Sequence, residues 1–311
     1  MNEPSIDLRA WRQFLAVADE LHFGRAATRL HMTQPPLTQA IAQLERNLGV
    51  ALFHRSSRHV ALTPAGEALL PQVRELLARS AALPGLARAA AAGEVGRVRL
   101  AFVSTIGFTR LPLWVRDFVA GTPGVALELV EATSDVQMQA FERGQIDAGL
   151  MLHAPGHAPA GLQCLAVGRE PMVLALPAQH ALAGTDRLML DEVLEQPLVI
   201  FPRRIMPSLH DAVMDLYRQH GKVPRIAQQA IQMQTIVNLV WGGIGLAWVP
   251  ASVMQFCRPG VVYREVVHAA GATRAGRKPV ALPTCETSLA WPADALSPAL
   301  ARFVEFVRAQ G

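Results

Sequence analysis

Apolar positions at the start of the chain recur with helical spacing. Leu8, Trp11, Phe14, Leu15 and Ala18 form one stripe, which stops at a turn near Phe23 and Gly24. A short helix follows over 24–30, then a break at His31-Met32-Thr33. A third helix runs from Gln34 to Asn47 and closes at Leu48-Gly49, with glycine as the C-terminal cap. Val50–Phe53 and His59–Leu62 are two short strands around the turn Arg55-Ser56-Ser57-Arg58. Thr63-Pro64 reads as an N-cap followed by proline in the first helical turn. From there a long helix reaches about Ala92, with Leu69, Leu70, Val73, Leu76, Leu77 and Ala81 on one stripe. Pro84-Gly85 is expected to kink or split it. A stripe this narrow favours pairing with a second helix over burial on its own chain.

Beyond Gly93 the pattern alternates between strand and helix. Arg97–Val103, Val125–Glu131 and Ile146–Leu152 read as strands, and Thr109–Ala120 and Ser134–Arg143 as helices. That β-α-β-α-β series implies a parallel sheet with right-handed crossovers. A second set follows, with strands near 171–176, 198–201, 226–230 and 244–249 and helices near 206–220 and 232–241. A strand at 287–291 and a helix over Pro298–Arg308 complete the chain. Residues 270–283 are polar, basic and glycine-rich, the pattern of a surface loop.

Composition narrows this picture little. With 51% hydrophobic and 17% charged residues, 311 residues can build two or three domains and global disorder is excluded. The net charge of +4 is modest, but residues 1–92 hold ten Arg against seven Asp and Glu, so most of the excess lies in the first third. Cys164, Cys257 and Cys285 are odd in number and far apart, which points away from a disulfide framework or a zinc site. An inert buried thiol is favoured over a redox sensor. No signal peptide and no apolar run of about 18 residues is evident, so a cytoplasmic protein away from the membrane is expected.

Residues 24–46 have the form of a helix-turn-helix. In the second helix Leu37, Ala40, Ile41 and Leu44 share the inward face, against Ala26, Ala27 and Leu30. The other face carries Pro35, Thr38, Gln39, Ala42, Gln43 and Arg46, with no acid near its start. Such a face suits the DNA major groove, because Gln can bond bidentately to adenine and Thr can meet a thymine methyl. Thr33 is placed to cap the helix, whose start favours a phosphate. Arg55 and Arg58 are placed on a wing that touches DNA backbone or minor groove. A three-helix bundle with a solvated face is the plainer reading; the tight turn, double-proline start and basic hairpin together favour DNA. The expected DNA contacts are Arg25, Thr33, Gln34, Pro35, Thr38, Gln39, Arg55 and Arg58.

These residues resemble the LysR-type transcriptional regulators. The resemblance is carried by Phe23 to Leu30, Thr33 to Gln39, Leu44-Glu45, Leu48-Gly49, Leu52-Phe53, Arg55 and Leu62 to Gly66. It continues, less specifically, at Gly144 to Leu150 and Gly242 to Pro250. It implies an α/β fold in three parts: a winged helix-turn-helix at 1–63, a linker and dimerisation helix at 64–92, and an effector-binding domain at 93–311. The last would hold two Rossmann-like lobes of the type-1 periplasmic-binding kind. Lobe I covers about 93–167 and 284–311, and lobe II about 168–283. The resemblance also implies a homotetramer built as a dimer of dimers, promoter DNA and a small-molecule effector as partners, RNA polymerase as a further partner, and no cofactor. Leu21 to Arg25 and Phe201 to Ser208 look like the subgroup that answers muconates and benzoate-type acids. By that analogy Thr105, Ser134, Phe201, Arg203 and Arg204 contact the effector, while Leu152 stands where the subgroup carries a carboxylate-clamping arginine.

Two of these positions also follow from strand geometry. Thr105 and Ser134 lie past the carboxyl ends of parallel strands, where open α/β folds bind ligands; Ser134 is in addition an ordinary N-cap candidate. The alternative, a soluble α/β binding protein or enzyme with an incidental helical start, has less support. Gly242-Gly243-Ile244-Gly245 precedes a strand where a phosphate loop would follow one. No G-x-S-x-G elbow occurs, and His153 and His157 lack nearby carboxylates or thiols for a metal. His22 reads as a packing or surface residue.

Overall fold

A computed structural model describes residues 6–56, 59–268 and 281–310. The chain divides into two compact units, residues 1–88 and 89–311.

The first unit is a winged helix-turn-helix. Helices α1 (Leu8–Glu20), α2 (Phe23–Arg29) and α3 (Gln34–Leu48) are followed by a two-stranded antiparallel hairpin, β1 (Phe53–Arg55) and β2 (Val60–Leu62), and then α4 (Pro64–Ala91). Phe14, Val17, Ala26, Leu37, Ile41 and Leu44 form its core. Burying each of the larger ones contributes about 1.5–3 kcal/mol. Asp7 caps α1. The α2–α3 turn closes through Met32 N–H on Ala27 O and His31 N–H on Thr28 O, with His31 left-handed at φ 53.

Helix α4 runs through Pro84 without the split that is one of the two outcomes expected there. Pro71 and Pro84 are both solvent-exposed, so water can serve the carbonyl that each leaves without a donor. Its stripe divides. Val73, Leu69, Leu70 and Leu77 pack into the first unit's core, while Leu76, Leu83 and Leu86 stay exposed.

The second unit is a two-lobed α/β body. Lobe I opens with β3 (Gly96–Phe102), a short helix α5 (Ser104–Gly107), α6 (Leu111–Gly121), β4 (Val125–Glu131), α7 (Ser134–Glu142) and β5 (Ala148–His153). The parallel order is β4-β3-β5. Trp114 and Phe118 of α6 pack on one face with Phe303 of the last helix, while Phe141 of α7 packs with Met151 on the other. The chain then enters β6 (Gln163–Pro177), a 15-residue strand, where a strand over 171–176 alone is expected from sequence. Its first half pairs with β12 (Thr284–Trp291), and its second half with β10 (Ala247–Pro250) and β11 (Val261–Val267). One continuous strand therefore joins the sheets of both lobes.

Lobe II adds β7 (Arg187–Met189), α8 (Leu190–Leu194), β8 (Leu198–Ile200), α9 (Pro207–Gln219), β9 (Ile226–Gln229) and α10 (Met233–Trp241). Its core includes Leu174, Val199, Ile200, Leu209, Ile236 and Trp248. Gly245 allows β8 and β10 to approach, since a Cβ there would lie 2.6 Å from Pro197 O. That close approach accounts for Gly245 without a phosphate. Helix α11 (Pro298–Ala309) returns to lobe I. The basic segment 270–279 lies outside the described residues. Among the described residues no helix is long and apolar enough to cross a membrane.

Candidate functional site

The outward face of α3 is exposed at Thr33, Gln34, Pro35, Gln39, Gln43 and Arg46, and half-buried at Thr38. Leu37, Ile41 and Leu44 anchor the opposite face. Thr33 takes the N-cap backbone shape but makes no side-chain cap bond. The reason is chemical: a cap hydroxyl accepts from the N2 or N3 amide, and here both are prolines with no N–H. The same prolines leave Gln34 as the amide that the first three helical residues can offer a phosphate. Thr38 Oγ1 donates to Gln34 O at 3.1 Å, so its methyl is the group it presents. Gln43, Arg46 and Asn47 are already ordered by hydrogen bonds among themselves.

The arginines are held from behind. Asp19 and Glu20, at the end of α1, pair with Arg25, Arg29 and Arg74. Arg25 also donates to Glu20 O, and its side chain remains 61% exposed. His22 is exposed, the surface half of its reading, and it is also the N-cap of α2: its Nδ1 accepts from the amides of Gly24 and Arg25. Arg55 lies within β1, where the sequence places it on the turn. Its guanidinium bonds Glu45 Oε2 at 2.5 Å and sits 5.0 Å from the Phe23 ring centroid. Glu45 Oε1 accepts from the amides of Leu52 and Phe53, so one carboxylate fastens the hairpin to α3. Arg58 lies outside the described residues.

In the second unit the three parallel strand ends converge. Val103, Ser104 and Thr105 follow β3, Glu131 ends β4 with Ala132 and Thr133 after it, and Leu152 lies on β5. Together with Ile205, Met206 and Gln232 of lobe II they line a gap of about 20 Å³, room for a single water. Ser104 Oγ donates to Gln232 Oε1 across it at 3.2 Å. Leu152 and Met206 also line a larger cavity of about 250 Å³, with Ser134, Asp135, His153, Arg204 and Ser208.

The expected effector residues separate. Thr105 is buried in α5 at the narrow gap. Ser134 lines the large cavity, but it is not the N-cap of α7; Thr133 takes that place, and its hydroxyl donates to Asp135. Arg204 lines the cavity and bonds Asp135 Oδ2 at 3.2 Å, from lobe II to lobe I. Arg203 lines neither space; it makes a bidentate pair with Asp211 at 2.8 and 2.7 Å. Phe201 is fully buried in the core of lobe II beside His210 and lines neither space. Sequence reasoning missed Asp135, which reads as an ordinary acid in a first helical turn. It also missed Ser104, Gln232 and Ser208, which carry no pattern of their own.

Comparison with known proteins places this geometry. Residues 8–67 match the bacterial regulatory helix-turn-helix protein family of the lysR type, and residues 91–311 match the LysR substrate binding domain. The chain is 42% identical over 307 residues to the HTH-type transcriptional regulator IlvR of Caulobacter vibrioides, covering 98% of this chain and 99% of that protein. It is 32% identical to TcbR of Pseudomonas sp. strain P51, with 97% and 98% coverage. Among solved structures, CbnR, a LysR family transcriptional regulator, superposes with a TM-score of 0.73 at 32% identity over 97% of this chain and 100% of that one. Full-length CbnR complexed with its target DNA gives 0.77 at 30% identity, covering 98% and 99%. The winged helix-turn-helix and two-lobed sensor described above thus belong to the LysR family: the chain is a DNA-binding transcription regulator with an effector-binding domain, not an enzyme.

Proposed function

We propose that this regulator works in the cytoplasm as a homotetramer, a dimer of dimers, that controls a promoter and its engagement of RNA polymerase through a small carboxylate-bearing effector held between the lobes. Residues 1–63 read DNA, 64–92 pair subunits, and 93–311 sense the effector. The observation that carries the reading is the outward amide-bearing face of α3, with Gln34, Pro35 and Gln39 exposed over a buried Leu37-Ile41-Leu44 anchor. Thr38 adds a methyl to that face, and Arg25, Thr33 and Arg55 flank it as positioning and phosphate contacts. Pairing is supported by Leu76, Leu83 and Leu86, which α4 leaves exposed.

Likeness to TcbR and CbnR, at 32% identity, supports a place near the aromatic-catabolism subgroup. Leu152, only 4% exposed, makes no ionic contact, so the acid group meets Ser134 and Arg204 instead, with Thr105 at the neighbouring gap. Occupancy changes DNA binding by differential affinity for two lobe arrangements.

Retardation of duplex DNA flanking its own gene, at low salt, tests this. Gln39→Ala weakens specific binding about tenfold or more, the worth of one bidentate base contact, and leaves binding to scrambled DNA nearly unchanged. Folded protein that retards neither duplex refutes the reading.

A further inference from the structure

The large cavity carries charges of both signs. Several of its polar groups are already used. The His153 ring donates from Nδ1 to Ala154 O, a carbonyl that can only accept, and its Nε2 accepts from Ser288 Oγ, both at 2.9 Å. Ser208 Oγ accepts from Ala154 N–H at 3.1 Å. His157, also on the wall, bonds Pro155 O from Nδ1 at 3.1 Å. Three further groups bring charge or an unpartnered hydroxyl. Ser134 is 8% exposed, and its buried Oγ has no partner. Arg204, with 63% of its side chain exposed, holds Asp135 by a single bond at 3.2 Å. Asp135 stands opposite it, 23% exposed. Met138, Met151, Leu152, Pro159 and Met206 supply apolar wall.

This arrangement selects by charge count. A simple anion reaching Arg204 also meets the carboxylate of Asp135, and a simple cation reaching Asp135 meets Arg204; each leaves one like-charge contact uncompensated. A zwitterion replaces the pair charge for charge. Its carboxylate takes the guanidinium, and its ammonium takes Asp135 Oδ2. An exposed ion pair contributes little to the fold, so exchanging it costs little. The carboxylate also gains the Ser134 hydroxyl and the positive end of α7. At about 250 Å³ the cavity is smaller than the 300–1,000 Å³ that drug-sized ligands fill. We infer that the cavity beneath Leu152 binds an apolar α-amino acid, inserted into the Asp135–Arg204 pair that joins the two lobes. The inference rests on the proposed effector region and names its ligand class.

Titration calorimetry on the full-length protein tests it, with L-leucine, L-methionine and L-phenylalanine as probes. 4-Methyl-2-oxopentanoate and 3-methylbutylamine serve as the leucine skeleton lacking the ammonium or the carboxylate. At least one amino acid binds, and each single-charge analogue binds about tenfold or more weakly, the loss of one charge-assisted hydrogen bond. Asp135→Asn collapses the preference for amino acid over keto acid, whereas Arg204→Gln weakens both. A purely structural role for Asp135 weakens all probes alike and leaves that ratio unmoved, which overturns the inference. Equal or tighter binding of the keto acid to the unaltered protein also overturns it, as does no binding of any of the three amino acids at millimolar concentration. These analogue comparisons need no variant to fold. If the keto acid binds and alters DNA retardation, the regulator reading stands while this inference falls. If the protein ignores DNA, the regulator reading falls whichever probe binds.

Discussion

Removing Glu45 tests how the wing is fastened. Its Oε1 accepts from Leu52 N–H at 2.8 Å and Phe53 N–H at 3.2 Å, and its Oε2 from Arg55. Leu52 is fully buried and Phe53 4% exposed, so water does not take over when the acceptor goes. An unmade buried donor costs about 1–3 kcal/mol, and the partly exposed Arg55 pair adds about 1 kcal/mol at most. With partial relaxation, Glu45→Ala therefore raises the free energy of the closed hairpin by about 3 kcal/mol, roughly a hundredfold in its opening equilibrium. Glu45→Gln keeps an oxygen acceptor and loses only the charge assistance, about 1 kcal/mol or roughly fivefold. Hydrogen exchange on the full chain reads this locally, in peptides spanning residues 50–56, with peptides from 284–291 as an internal reference. Glu45→Ala accelerates exchange at residues 52 and 53 about a hundredfold, Glu45→Gln by much less, and neither affects 284–291. Exchange at 52 and 53 within about twofold of the unaltered protein for Glu45→Ala refutes the reasoning.

Two further outcomes follow from backbone fit and charge. A Cβ on Gly66 would lie 2.4 Å from Leu52 O and 2.8 Å from Leu62 Cδ2, while Gly66 N–H is held by Thr63 Oγ1; Gly66→Ala thus forces α4 off the wing and costs about 1–3 kcal/mol, read as a lower melting transition of the first unit with the second unchanged. Asp147 responds to pH: burial pushes its carboxyl up, but the Arg99 side chain and backbone N–H bonds and the Arg99 charge outweigh it, holding it below the ordinary carboxylate range. A depressed carboxylate contributes stability above its unfolded pKa of about 4, and loses it as pH falls through the folded value. Melting curves across acid pH accordingly show Asp147→Asn less stable near neutrality and the difference vanishing in strong acid; a difference constant with pH contradicts the assignment.

What could be read from sequence was local. The stripes of α1 and α3 and the β3-α6-β4-α7-β5 alternation are short-range patterns, and each element forms close to where its spacing puts it. Pro84 does not split α4, although a helix-interior proline loses one hydrogen bond and crowds the carbonyl four residues back; nothing in the dipeptide itself tells a helix that continues from one that ends. The first half of β6 escaped for the opposite reason. Cys164, Leu165 and Gly168 are half-buried, with Ala166 exposed and Val167 buried between them, on a strand shared between lobes, so the two-residue alternation that marks a one-faced strand is blurred. Thr133 and Ser134 are both cap formers, and only the extended φ and ψ of Thr133 decide between them. The cavity chemistry was the least legible part. Asp135 and Arg204 stand 69 residues apart on different lobes and meet only because the chain crosses between lobes along β6. Read alone, Asp135 is a helix-dipole acid and Arg204 a surface cation. Their opposition across one cavity is a property of topology, and on the proposed amino-acid reading it sets the charge a ligand brings. Two sequences sharing every helix and strand of this fold can therefore answer chemically different effectors, and on that reading positions 135 and 204 decide the difference in this chain.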